Sequence, residues 1–231
     1  MKRIIAVLVA VLVTFATAAC GSSKSLSDLS TSALLKKARA AVTAEKYVTV
    51  SGEIQESGKA TSIDLHYVGD DSYGTIVLAG AEMQIEAVDG KTYFKPSKAF
   101  WKQQLSADQA KLVSGLIGDR WIIADASNAN FAQLIEVAQR SFLTKEVLSP
   151  STESKVTKGK VTTIGGEKAI PLTVDTGKLY LADETARPIQ VSGSGEGSSG
   201  TAKFSYDKLS APSAPAADEQ VDLAKLMSGA S

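Results

Sequence analysis

One cysteine, Cys20, and one histidine, His66, are all that the chain offers by way of thiol or imidazole chemistry. A lone cysteine allows no intrachain disulfide, so a fold outside the cytoplasm must be held by burial and hydrogen bonding. A lone histidine leaves few ways to build a nucleophile with its base, and His66 stands among Ser62 and Asp64 on the polar side of an alternating run, the setting of a solvated surface histidine. Charge of one sign is also lacking. The 25 Lys and Arg balance the 25 Asp and Glu, and no basic patch stands out along the chain, which argues against nucleic acid or anionic lipid as an electrostatic partner. Beyond the first twenty residues, no apolar run is long enough to cross a bilayer as a helix.

The first twenty residues have a different composition. Lys2 and Arg3 precede an apolar run from Ile4 to Phe15, and Thr17-Ala18-Ala19 lead into Cys20-Gly21. A basic start, a short apolar stretch and small residues are the layout of a secretory signal. Thr17-Ala18-Ala19-Cys20 resembles the bacterial lipobox, with Ala18 and Ala19 fitting the pattern and Thr17 standing where an aliphatic residue is usual. Cys20 is therefore expected to be the lipid-modified first residue of a mature lipoprotein. The alternative, cleavage beside Ala18 or Ala19, leaves an unpaired thiol. Removing Lys2 and Arg3 makes the mature chain mildly acidic. The expected organisation is a signal peptide at 1–19, a lipidated tether at 20–28, one domain at 29–209, and a Pro/Ala linker with a tail at 210–231.

Periodicity divides the domain into four parts. Leu34, Leu35, Ala38, Ala41 and Val42 recur at helical spacing, with Lys36, Lys37 and Arg39 between them. From Tyr47 the period becomes two: Val48, Val50 and Ile54, then Ile63, Leu65 and Tyr67, then Met83 and Ile85 alternate with polar residues. Ser57-Gly58, Gly69-Asp70-Asp71, Gly80 and Asp89-Gly90 supply the turns of an antiparallel meander. Helical spacing returns in the middle, where Ser106 and Gln109 predict a capping box ahead of Leu112, Val113, Leu116 and Ile117, and Asn130 a cap for a helix carrying Leu134, Ile135 and Ala138. Period two resumes from Val156. Pro171 and Pro188 fall in or beside these strands and belong at strand starts, edges or bulges. After the Pro/Ala linker, a short helix is expected from Val221 to Met227. No βαβ alternation occurs, so the fold class is α+β with a largely antiparallel sheet.

Motifs for chemistry are sparse. Ser205-Tyr206-Asp207-Lys208 fits S-x-x-K, but its serine lies within an alternating strand and its companion motifs are missing. Gly195 to Gly200 fits G-x-G-x-x-G, yet a strand follows it, not the helix that would hold a pyrophosphate, so a flexible hairpin tip is expected. The acidic pairs Asp70-Asp71, Asp183-Glu184 and Asp218-Glu219 lack the spacing of a calcium loop. No catalytic residue, metal ligand or cofactor is expected. Trp101 and Trp121 sit at the borders of apolar elements, where core packing competes with a place at the mouth of a pocket.

Two stretches carry a family likeness. Ala87-Val88-Asp89-Gly90-Lys91-Thr92-Tyr93-Phe94-Lys95, followed by Trp101-Lys102, and the run IPLTVDTGKLYLADETARPIQV within 166–191 resemble the actinobacterial lipoproteins of the LppX and LprG type, relatives in fold of the LolA lipoprotein carrier. The resemblance implies a curved, largely antiparallel half-barrel whose concave face is covered by helices over an apolar cavity for acylated lipid or glycolipid. Strand positions Ile76, Leu78, Met83, Ile85, Leu172 and Val174 would line such a cavity, facing Leu112, Leu116, Phe131, Leu134 and Ile135, with Trp121 beside them. Together with the Cys20 signal and the lack of catalytic groupings, it leads to the expectation of a non-enzymatic protein on the outer face of the cell membrane that carries or presents lipid, with an envelope transport partner. The competing expectation is an interaction or sensor module whose core is filled.

Overall fold

In a computed structural model, residues 25–124, 129–150, 155–175, 177–195 and 198–222 are described. A single-turn 3-10 helix, Leu26–Asp28, leads into helix α1 (Thr31–Ala44). The Ser30 hydroxyl accepts the Ala33 N–H and caps α1, whose Leu34, Leu35, Ala38 and Val42 are buried. The chain then runs through a five-stranded meander: β1 (Tyr47–Glu56), β2 (Lys59–Val68), β3 (Asp71–Leu78), β4 (Ala81–Val88) and β5 (Lys91–Pro96). Ser57-Gly58, Ala79-Gly80 and Asp89-Gly90 all have positive φ, the backbone of two-residue hairpins that match strand twist.

Helices α2 (Lys98–Gln104) and α3 (Ala107–Ile117) form a hairpin after β5, and Ser106 with Gln109 makes the expected capping box. The apolar segment after α3 is strand β6 (Trp121–Ile123), which pairs with β5. Helix α4 spans Ala129–Ala138. Asn130 lies inside its first turn and so does not occupy the cap position expected for it. A π-helical turn, Leu143–Val147, follows. The second set of strands is β7 (Val156–Lys158), β8 (Thr162–Ile164), β9 (Glu167–Val174), β10 (Gly177–Ala182), β11 (Pro188–Gly195) and β12 (Ser198–Ser205). The pairing of β12 with β1 joins the two sets into one sheet of 13 strands, ordered β13-β6-β5-β4-β3-β2-β1-β12-β11-β10-β9-β7 with β8 also on β9.

The last strand, β13 (Gln220–Val221), adds in parallel to β6, the one parallel pairing among the described residues. Residues 220–221 are therefore sheet, where a helix from Val221 was expected; residues 223–227 lie outside the described residues. β13 covers what would otherwise be an open strand edge. The prolines fall where missing N–H groups do least harm. Pro171 lies on β9 between the stretches paired with β8 and β7, and Pro188 starts β11 beside a register shift.

Strands approach each other closely at two glycines. A Cβ at Gly52 would lie 2.2 Å from the Thr201 carbonyl oxygen, and one at Gly74 would lie 2.1 Å from that of Asp64. Only glycine allows such contact, and it lets β1, β2, β3 and β12 coil around the helices. The antiparallel strands share two ends. The near end, where α1 passes into β1, carries the turns at Gly69 and at Asp89-Gly90; the far end carries those at Ser57-Gly58 and Ala79-Gly80 and the start of α2.

Candidate functional site

Strand register sorts the concave side chains into four rows. Nearest the near end are Val48, Tyr67, Ser72, Ala87 and Thr92. Next come Phe204, Val50, Leu65, Gly74, Ile85, Phe94 and Ile122. The third row is Leu172, Leu179, Val191, Ala202, Gly52, Ile63, Ile76, Met83 and Pro96. The fourth, at the far end, is Val174, Gly177, Gly193, Gly200, Ile54, Thr61, Leu78 and Ala81. The sheet therefore offers an almost wholly apolar inner surface several strands wide, which must be covered by protein or by a ligand.

Cover is uneven. Ile85 and Leu172 are 0% exposed and Phe94 1%, whereas Ile54 in the last row is 43% exposed, with Leu78 and Val174 half-buried. Helix α1, which starts beside β7 and ends where the chain passes into β1, seats four buried apolar residues, and over the near half α4 crosses the sheet with Phe131 stacked on Phe94 at 5.7 Å between ring centres. Two hydroxyls from the sheet pin the end of α4: Tyr67 donates to the Val137 carbonyl at 2.8 Å and buried Ser72 donates to that of Ala138 at 2.6 Å. Helix ends leave carbonyls without partners, and these donors satisfy two of them inside the core. Burial pushes the Tyr67 phenol well above its ordinary pKa, so it remains a donor.

Arg140, just past α4, extends the same lock. Its guanidinium donates to the carbonyls of Val42 (2.5 Å), Glu45 and Gly69 (3.4 Å), capping α1 and holding the β2–β3 turn. Desolvation lowers its pKa, and Asp70 and Glu45 oppose that shift. Arg39 donates to the Leu148 carbonyl at 2.9 Å, and Arg187 meets Glu45 at 2.5 Å while lying 5.1 Å from the Tyr206 ring. The far end has weaker ties: Gln103 of α2 donates to the Ala79 carbonyl at 3.0 Å across an exposed surface.

Strand phase puts Ile76, Leu78, Met83, Ile85, Leu172 and Val174 on this concave face, and Phe131, Leu134 and Ile135 are partly buried against the same cluster. Three residues expected with them lie elsewhere. Leu112 and Leu116 are 63% and 52% exposed, because α3 turns Ala110 and Ile117 inward and its second apolar stripe outward. Two apolar stripes on one short helix cannot both face the core. Trp121 lies on the convex face: it is Ile122 that pairs with Phe94 on the concave side, and Trp121 borders a hollow shared with His66, Tyr73 and Glu86. Its ring lies 5.7 Å from the Lys95 ammonium. Concave residues overlooked in the sequence include Ile63, Leu179, Val191 and Phe204. Each belongs to a period-two run, and only the pairing of β1 with β12 brings the two runs together.

The convex face bears the polar groups. His66 bonds Thr49 Oγ1 through Nδ1 at 3.0 Å, approaches Asp64 at 3.5 Å and stacks on Tyr73. Thr49 is an unsuitable nucleophile here. It lies on β1, whose neighbours β2 and β12 take up the backbone N–H groups that an oxyanion would need. The G-x-G-x-x-G glycines join β11 to β12 as a hairpin whose tip, 196–197, lies outside the described residues, as does Cys20. Among the described residues, no helix is long and apolar enough to cross a membrane.

No protein-family profile matches the chain, and no curated protein matches it in sequence. Solved structures do match. LprF from Mycobacterium bovis superposes with a TM-score of 0.50 over 78% of this chain and 95% of its own length, at 10% identity. The chain has the fold of LprF. The likeness to the LppX and LprG type read from the sequence therefore holds at the level of fold, including the curved, mostly antiparallel sheet with helices on its concave side. The Mycobacterium tuberculosis lipoprotein LppX aligns over 79% of this chain and its whole length, with a TM-score of 0.47 and 12% identity. The MucA/MucB complex of Pseudomonas aeruginosa gives 0.38 at 16% identity, over 81% of this chain and 59% of the matched one.

Proposed function

We propose that this chain is a non-enzymatic lipoprotein that holds the acyl chains of a lipid or glycolipid against the concave face of its half-barrel, and carries or presents them at the outer face of the cell membrane. The observation that carries the reading is the gradient of cover along that face. An apolar surface that continues past its helical lid to Ile54, Leu78 and Val174 is apolar area awaiting a partner. The lipobox-like segment ending at Cys20 supplies the anchor in this reading, with an envelope transport partner handing lipid on.

The energetics suit a carrier. Each buried methylene gains about 0.8 kcal/mol on leaving water, and a bilayer offers nearly the same, so a surface comparable to lipid allows both loading and release. The test is a titration with a fluorescent fatty acid. Binding that is competed by long-chain lipid and weakened at least about tenfold by Ile63→Trp, which fills the third row toward the far end, is the expected result. Absence of any uptake by delipidated protein contradicts the proposal. One observation favours the interaction module instead: the second row is already closed, with Ile85 and Phe94 buried under α4. That reading predicts no uptake and a protein partner recovered by crosslinking in intact cells.

A further inference from the structure

The α2–α3 hairpin has two features that the lipid-binding reading does not use. Its outer stripe presents Leu112 and Leu116, two of the four large apolar side chains most exposed among the described residues. Beside them, the exposed Lys98, Lys102 and Lys111 border a hollow of about 690 Å³ between α2 and α3, and none of the three has an ion pair among the described residues. Lys111 and Gly115 border both this hollow and the one lined by Leu112 and Leu116, so the apolar and basic groups form one continuous surface. Asp108 also borders it, leaving lysine in excess. The even balance of charge along the chain conceals this cluster, which exists only once the two helices fold together.

The chain's amino end lies at the same end of the sheet. The hairpin starts from the far end of β5 and is tied to the far-end turn through Gln103 and Ala79. Leu26–Asp28 is held to β7 by Lys158, whose ammonium donates to the Ser27 and Leu29 carbonyls at 2.5 and 2.7 Å. Lys158 pairs with Leu172, two positions short of the far end of β9. From Ser25 back to Cys20 the chain spans at most about 18 Å. An acyl group on Cys20 would therefore hold the far end close to the bilayer. Ile54, a third exposed apolar side chain, belongs to that same end.

We infer that the α2–α3 hairpin docks on the surface of an anionic phospholipid bilayer, with Leu112 and Leu116 entering the interface and Lys98, Lys102 and Lys111 against the headgroups, so that the uncovered end of the concave face opens toward the membrane. The inference rests on the proposed anchoring at Cys20 for its orientation. Apolar side chains flanked by lysines are the makings of interfacial binding, and each lysine near an anionic surface strengthens partition about fivefold.

The test places a genetically encoded, environment-sensitive fluorescent amino acid at Leu116 in the full chain, with the same residue at Val161, an exposed apolar position outside the hairpin, as control. Vesicles of phosphatidylglycerol should shift the Leu116 emission to the blue and leave the Val161 emission unchanged. Phosphatidylcholine should give little shift, and Lys98→Gln, Lys102→Gln and Lys111→Gln together should weaken partition by about a hundredfold. Equal behaviour of the two probes, or a shift indifferent to lipid charge, overturns the inference. So does self-association that buries Leu116 without vesicles. Flotation with vesicles in high salt reports the anchor separately: a chain that fails to float yet still shows the Leu116 shift loses the Cys20 reading and keeps the docking.

Discussion

The two halves of the concave face are made of the same residue types and differ in what holds the helices over them. In the near half, Tyr67 and Ser72 donate to the last carbonyls of α4, Arg140 caps α1, and Ile85 and Phe94 are sealed. In the far half the third row is still mostly buried, with Met83 and Leu172 covered, and cover lapses in the last row, where Ile54 is 43% exposed and the neighbouring helical hairpin is tied to the strands by contacts near the surface. Apolar character alone therefore does not decide where the barrel closes. The hydrogen bonds fix where a lid stays, because a helix can leave an apolar surface without an unsatisfied group but cannot abandon buried donors without cost. A lid pinned at one end leaves the other end available to a ligand.

Matched substitutions in the two halves test the contrast. Phe94→Ala should have the largest effect, about 3–5 kcal/mol in urea denaturation, since it removes a sealed ring stacked on Phe131. Ile85→Ala should cost about 2–5 kcal/mol, and Ile54→Ala within about 0.5 kcal/mol. Comparable losses at Ile85 and Ile54 would break the comparison. Ser72→Ala leaves the Ala138 carbonyl without its buried donor and should cost about 1–3 kcal/mol. Hydrogen exchange in that variant should speed up across α4 while the far-end strands keep their protection.

The smallest effect concerns pH. Burial holds the proton on Tyr67, so the pinning of α4 should not change between mildly acidic and mildly alkaline solution. A weak dependence should come from the convex face, where burial and the nearby Glu219 raise the pKa of Glu86 and Lys95 opposes them. A raised carboxyl pKa favours the protonated folded state. That contribution is present below the ordinary Glu range and lost as pH rises through the folded value. Glu86→Gln should flatten this slope, and an unchanged slope would show that folding does not raise the Glu86 pKa.

Much of the fold was legible because it depends on local chemistry. The period-two runs, the turn glycines and the capping box at Ser106 and Gln109 each report on neighbours within a few residues. What was hidden depends on pairing over long distances. That β12 would pair with β1, closing two meanders into one sheet, is written in no single segment. The close approach of Gly52 to Thr201 follows only from that pairing. The candidate site divides in the same way: strand phase assigns Met83, Ile85 and Leu172 to the concave face, while Leu112 and Leu116 show that one helix with two apolar stripes does not announce which one packs. Trp121 shows the same for a three-residue strand, where a side chain's face depends on register with β5.

The most direct test of the account is native mass spectrometry of the chain purified without detergent from an actinobacterial host, followed by organic extraction of whatever is bound. The account predicts a discrete added mass that extracts as an acylated lipid. A clean apo mass that persists after incubation with host lipids would contradict it.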